Sequence, residues 1–292
     1  MEQVYAIASE LGAELGDPLG PAQPLGGKPG RDYRVRLTSG EYVVRLPRSD
    51  ASLLGSGRES ERLANEMAAS LGIAPAVAGA GPGWLVIRFL DRRPVDPRRL
   101  REEPASVAAA LRSFHESGLQ LPDRLVVPEL LERCARQVRE CGAALPDGYA
   151  LAHALTARIA EALPTTDPVP SHNNLVPSSV LDLGPSDGMG QPRIALVDWE
   201  YAAMGDPLFD LASLAVHCHF DEVAQRRLLV AYFGAEPDES RVAALQLMRL
   251  MVQAYEAARA LAERVASGED FEPLLRVAEE PRVTDWMRSV AV

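Results

Sequence analysis

Two short runs, Ser171–Val180 (SHNNLVPSSV) and Leu196–Tyr201 (LVDWEY), hold the residue types best suited to chemistry. Asp198 follows an apolar run, where a strand opens into a loop. A carboxylate there can ligate a metal in a cleft, and it can equally cap the turn that follows. His172, taken alone, reads more readily as a hydrogen-bonded structural histidine than as a catalyst. Asn174 stands 24 residues before Asp198, with a strand pair between. A loop, a strand pair and a second loop bring both segments to one edge, where they can share a metal. The matching chemistry is phosphoryl transfer, which needs phosphates held, Mg²⁺ placed and an acceptor hydroxyl oriented beside an acid that takes its proton. Asn174 in this loop is a carboxamide, which orients a hydroxyl without usefully accepting its proton.

The elements that must position these residues are readable from periodicity. DYRVRL (Asp32–Leu37) and EYVVRL (Glu41–Leu46), joined by Ser39-Gly40, predict an antiparallel hairpin preceded by the Gly-rich turn LGGKPG. Helical spacing runs from Arg58 to Leu71 and stops at GIAP. AVAGA and WLVIRFL predict a strand pair, the second apolar enough for a central strand. DRRPVDP marks a linker. Beyond it SVAAALRSFHESG, PELLERCARQVRECG and YALAHALTARIAEAL repeat apolar residues at three and four. One β-like insert, SSVLDLG and RIALVDW around PSDGMGQP, interrupts helices that resume at Asp206. The expected fold class is α+β and bilobal. A small antiparallel-sheet lobe with one helix (residues 1–90) precedes a mainly helical lobe (91–292), with a cleft between them.

The bulk numbers bound the rest. A chain of 292 residues with 47% hydrophobic content can bury a sizeable core. Its 30 basic and 41 acidic residues, net −11, disfavour a nucleic-acid partner and favour cationic or metal-bridged ligands. The N-terminal run has no charged n-region before an apolar stretch, and no window approaches a membrane span, so a cytoplasmic protein without membrane attachment is expected. Cys134, Cys141 and Cys218 suit neither a disulfide framework nor a zinc knuckle, and Cys134 and Cys141 read as buried thiols on one helix face. His217 and His219, two apart in LASLAVHCHF, point to different faces of a predicted helix and would not chelate together.

The combined run VPSHNNLVPSSVLDLG…IALVDWEYAAMGDPLFDLASL resembles the catalytic and metal-binding segments of the choline kinase and aminoglycoside phosphotransferase family, in particular its bacterial choline kinase branch. The likeness extends from about Pro24 to Gly234 and implies a protein-kinase-like fold, ATP and Mg²⁺ as cofactors, and a small-molecule acceptor. By that resemblance Arg45 contacts nucleotide phosphates and pairs with Glu66, and backbone groups of Arg88, Phe89 and Leu90 face the adenine. Gly26, Gly27, Lys28 and Gly30 form the phosphate loop. Asp198 binds Mg²⁺, His172 buttresses the catalytic loop, and Asp206 and Asp210 brace that loop and cap a helix. Glu200 and Tyr201 lie at the acceptor mouth, with Glu200 placed to receive a cation.

Three positions depart from the family pattern. Asn174 replaces the catalytic aspartate. Ser179 replaces the asparagine that ligates a second metal, and a hydroxyl reaches less far. In PLGGKPG, Pro29 lacks an N–H and Gly30 lacks an anchoring side chain, with Lys28 available as a point charge. The expectation is an ATP-dependent phosphotransferase with a degenerate base. The alternatives are a pseudokinase that binds a nucleotide or metabolite, or the same fold turned to another reaction. For the acceptor, Trp199, Tyr201, Phe209, Tyr255 and Trp286 could cage a quaternary ammonium, although each suits core packing as well. GEDFEP and VAEEP could line a pocket for an aminoglycoside.

Overall fold

The structure is a computed structural model that describes residues 2–25, 31–46, 57–145, 148–163, 166–185 and 192–267. Its architecture is α+β in two lobes. The small lobe is a five-stranded antiparallel sheet of β1 (Gln23–Pro24), β2 (Asp32–Leu37), β3 (Gly40–Arg45), β4 (Val77–Gly81) and β5 (Trp84–Arg88), in the order β1-β2-β3-β5-β4. Alternation decides its faces: Tyr33, Val35 and Leu37 of β2 point into the core while the residues between them do not. In β5 four successive residues, Trp84–Ile87, are buried, as suits a strand with neighbours on both sides. The hairpin register sets Asp32 opposite Arg45 at the end facing the second lobe.

Two N-terminal helices, α1 (Glu2–Glu10) and α2 (Gly12–Leu15), were not expected from the sequence. Val4 and Ile7 of α1 pack with Tyr33, Val35, Val44 and Val86, closing the outer face of the sheet.

Helix α3 (Arg58–Ser70) starts where the Asp123 carboxylate accepts from the Gly57 N–H (2.7 Å) and the Ser60 hydroxyl (2.6 Å). Its Ala64 and Ala68 belong to the large-lobe core, not to the core beneath the sheet. The linker then runs along β7 (Val180–Pro185): the Val95 N–H donates to the Val180 C=O, and the Asp182 N–H to the Arg93 C=O.

The large lobe holds α4 (Pro97–Glu102), α5 (Ala105–His115), α6 (Val127–Glu140), α7 (Tyr149–Ala162), α8 (Pro207–His217), α9 (Glu222–Phe233) and α10 (Glu239–Ser267). In α6 the buried positions Val127, Leu130, Leu131, Cys134 and Val138 follow the three–four rule. Cys141 caps that helix and is exposed, contrary to the expectation of a buried thiol. α8 ends at His217, and His219 lies beyond it with φ 53°, so the helix is shorter than LASLAVHCHF suggests. α10 packs against α6, α7 and α8. Two small ribbons, β6 (Val169–Ser171) with β9 (Ala203–Gly205) and β7 with β8 (Pro192–Leu196), carry the two chemistry-bearing loops. Among the described residues no helix is long and apolar enough to cross a membrane.

Candidate active site

The loop after β6 is held from below by one carboxylate. Asp210, fully buried on α8, accepts from the backbone N–H groups of His172 (2.8 Å) and Asn173 (2.7 Å) and from His115 Nε2 (3.0 Å). A carboxylate only accepts, so His115 carries its proton on Nε2, and Nδ1 faces the Tyr232 hydroxyl at 2.7 Å. Burial pushes the Asp210 carboxyl up, but the hydrogen bonds from the His115 ring and the His172 backbone, with the electrostatic pull of both residues, outweigh it and hold the group below the usual aspartate value. Burial, reinforced by Asp210, pushes the Tyr232 hydroxyl up, so it stays a donor.

His172 ties this loop to the segment that carries Asp198. Its Nε2 donates to the Val197 C=O (3.0 Å), which leaves Nδ1 to accept from the Asn174 N–H (3.3 Å). The ring lies 4.7 Å from that of Trp199, which is fully buried and also touches Phe114 at 4.4 Å. Asn173 sits at φ 61° and donates to the carbonyls of Tyr201 and Ala203, stapling the loop to β9. Asp198 is also left-handed, at φ 71°. Conformations of this kind cost about 1–3 kcal/mol in non-glycine residues and persist where surrounding bonds impose them. Of the three non-glycine residues with positive φ among the described residues, Asn173, Asp198 and His219, the first two lie in the two loops that the sequence marked.

Above the loops, Arg45 at the end of β3 is surrounded by carboxylates. Its guanidinium lies 2.6 Å from Asp198, 3.3 Å from Asp32, 3.3 Å from Glu61 and 3.5 Å from Glu200. Burial alone lowers the Arg45 pKa, but Glu61, Asp198, Asp32 and Glu200 together raise it well above the ordinary value, so it stays charged. Arg58 completes the cluster by pairing with Glu61.

The partner of Arg45 on α3 is therefore Glu61, not Glu66. Glu66 points to solvent and pairs with Arg62 at 2.7 Å. The helix geometry was sufficient to choose: Glu61 lies on the face of Ala64 and Ala68, whereas Glu66 falls on the opposite side. Glu61→Gln is expected to cost about 3 kcal/mol, because it removes a buried carboxylate that pairs with both Arg45 and Arg58. Glu66→Gln should change stability by no more than about 0.5 kcal/mol. Urea unfolding of the two variants checks the difference.

Other expected site residues fare differently. The N–H groups of Arg88 and Phe89 donate to Ala76 and Glu41, so neither is directed at an adenine, and of the three candidates these bonds leave the Leu90 N–H. The ring of Phe89 is covered by Arg34, whose guanidinium carbon lies 4.2 Å from the centroid. Ser179 is 1% exposed, and its hydroxyl points at the Asn174 C=O (3.5 Å), so it does not present a ligand to the cleft. Asp206 caps α8 by accepting from the Leu208 N–H.

Glu200 already holds a cation, Arg31, at 2.6 Å. Tyr201, Trp199, Phe209 and Tyr255 are buried, and Arg259 stands 4.9 Å over the Tyr201 ring, so these aromatics form core and not an open cage. Gly26, Gly27, Lys28 and Gly30, together with Trp286 and the GEDFEP and VAEEP runs, lie outside the described residues. The sequence reading missed Glu61, Arg31, Asp32, Asn173, His115 and Tyr232.

Asp198 is 39% exposed at the cleft, which suits one Mg²⁺ shared with nucleotide phosphates once Arg45 yields a carboxylate oxygen. A second protein-held ion does not fit this donor set. Among the described residues, no three His, Cys, Asp or Glu side chains gather into a metal-binding cluster.

Known proteins resemble this chain in sequence and fold. Protein LicA of Haemophilus influenzae is 23% identical over 219 residues, 73% of this chain, and the match spans 62% of that relative's length. The choline kinase LicA of Streptococcus pneumoniae superposes with a TM-score of 0.76 at 20% identity, covering 99% of this chain and all of that one. A LicA solved in complex with AMP gives a TM-score of 0.71 at 20% identity, covering 98% and 96% of the two chains. Identities this low establish a shared kinase-like fold. The phosphotransferase enzyme family's sequence model matches residues 22–245, more than half of the chain, and with the fold and the loop geometry this places the protein in that family.

Proposed function

We propose that this chain transfers the terminal phosphoryl group of ATP to a hydroxyl of a small cationic molecule, with Asn174 orienting that hydroxyl and not taking its proton. The observation that carries this reading is the intact loop scaffold. Asp210 pins His172 and Asn173, His172 reaches Val197, and Asn174 is thereby held beside the segment that presents Asp198 to Arg45. A chain that had left phosphoryl transfer would not need two strained loop residues and a buried carboxylate brace.

Residues 1–90 would supply the nucleotide lobe and 91–292 the acceptor lobe. Arg45 would meet phosphate oxygens, and Asp198 would hold Mg²⁺, which supplies neutralisation of charge on the phosphates when bound. Proton removal comes late in a loose transition state, so an amide at the base position slows transfer without forbidding it. A small-molecule acceptor and a cytoplasmic setting go with this reading, and the net charge of −11 disfavours nucleic acid. The AMP complex of LicA and the kinase names of the structural relatives support it. A second reading, nucleotide binding without turnover, is favoured by one observation: the Ser179 hydroxyl is turned to the Asn174 carbonyl.

Calorimetric titration with ATP, with and without Mg²⁺, comes first, followed by turnover assays on native protein and Asn174→Asp with amino alcohols and aminoglycosides. A positioned base contributes about 10²–10⁴-fold in general, so Asn174→Asp is expected to raise turnover by about tenfold or more. Magnesium-dependent binding with no turnover in either protein would select the second reading. No binding in either condition would remove both.

A further inference from the structure

Arg31 follows the Gly-rich run directly, and its C=O accepts from the Leu46 N–H (2.8 Å), which seats it across from the end of β3 beside Arg45. The two guanidiniums converge on a single atom. Arg31 Nη2 lies 2.6 Å, and Arg45 Nη2 3.5 Å, from Glu200 Oε2. They differ in how firmly they are held. The Arg45 side chain is 5% exposed and faces three further carboxylates, whereas that of Arg31 is 34% exposed, and Arg31 Nε is buried with no hydrogen-bond partner.

We infer that Arg31 is a phosphate-binding residue parked on Glu200 while the cleft is empty, and that arriving phosphates take Arg31 and release Glu200 to face the acceptor's cation. This deepens the phosphotransferase reading and rests on it. The charge balance gives the reason. Among the described residues Asp32, Glu61, Asp198 and Glu200 face Arg31, Arg45 and Arg58, so an incoming phosphate chain needs a cation whose present partner can be given up. Taking Arg45 from Glu61 would break a buried ion pair. Parting Arg31 from Glu200 leaves that carboxylate with Arg45 at 3.5 Å, and the more exposed Arg31 carries a planar fork that suits phosphate oxygens. Pro29, with no N–H, removes one backbone phosphate donor from the preceding loop, which raises the need for a side chain.

The test is calorimetry with ATP and with adenosine on the native chain, Arg31→Gln, Glu200→Gln and the double variant, with thermal unfolding of each. Arg31→Gln is expected to weaken ATP about tenfold and leave adenosine unchanged. Glu200→Gln is expected to tighten ATP about threefold, and that gain should vanish in the Arg31→Gln background, because what it frees is Arg31. If Arg31→Gln does not fold, Arg31→Lys replaces it, with ATP about threefold weaker because the fork is lost. Native-like ATP affinity in the Arg31 variant overturns the inference alone, as does a Glu200→Gln gain that survives without Arg31, which would be simple removal of negative charge. A native chain that binds neither ligand overturns both the inference and the nucleotide-cleft reading beneath it.

Discussion

The Asp210→Ala variant is expected to lose about 3–5 kcal/mol of stability and all loop-dependent activity, since it removes the buried partner of three donors at once. Asp210 is fully buried, and the backbone N–H groups of His172 and Asn173 and the His115 ring all donate to it. Alanine leaves three donors in the core without an acceptor, each costing about 1–3 kcal/mol before relaxation. Asp210→Asn should fall between, because one amide oxygen remains to accept. The pH dependence has a definite sign. The folded-state value of this carboxyl is depressed, so its contribution is complete above the ordinary aspartate value of about 4 and is lost as pH falls through the lower folded value. Urea unfolding at a series of pH values should show a steep acid limb in the native chain and a shallower one in Asp210→Asn. Equal stability of native and Asp210→Ala at neutral pH would remove Asp210 as the brace.

The second large effect is expected at Arg45. Arg45→Met leaves Glu61 to Arg58 alone and takes from Asp198 the guanidinium 2.6 Å away. The loss is about 3–5 kcal/mol, typical of a broken buried ion pair, and ATP affinity should fall about 100-fold with the phosphate contact. Arg45→Lys keeps the charge but cannot bridge Glu61 and Asp198 with a planar fork, so it should recover stability better than affinity. Thermal unfolding and calorimetry in parallel check this. ATP affinity within threefold of native in Arg45→Met would refute its assignment to the phosphates.

How far the sequence carried each element depended on whether the deciding interaction was local. β2 was legible to the residue, because DYRVRL alternates and is bounded by turn chemistry. The helices α3 and α5 to α8 were legible from their three–four spacing, with ends displaced by one to three residues. The catalytic-loop brace at Asp210 was anticipated from its motif. His115 was not, since a single histidine at a helix end says nothing of an aspartate 95 residues away. The choice of Glu66 failed because resemblance supplied a glutamate on a helix without its face. Arg31 passed unnoticed because its partner, Glu200, is 169 positions distant. The helices α1 and α2 were not legible because, at 9 and 4 residues, they are too short for a three–four pattern to repeat. Backbone hydrogen bonding at Arg88 and Phe89 lies beyond any side-chain pattern: Ala76 and Glu41 take their N–H groups, two of the backbone groups that resemblance had aimed at an adenine.

The attachment of α3 decides how this molecule can flex. The helix begins on Asp123 and buries Ala64 and Ala68 in the large-lobe core, while Arg45, which its Glu61 holds, belongs to the sheet. Mechanically α3 bridges the two lobes, since it also packs against β4 and β5 of the sheet. The Arg45–Glu61 contact is a further point at which helix and sheet are joined, so the same ion pair that steadies the guanidinium also limits how far the sheet can slide over the helix.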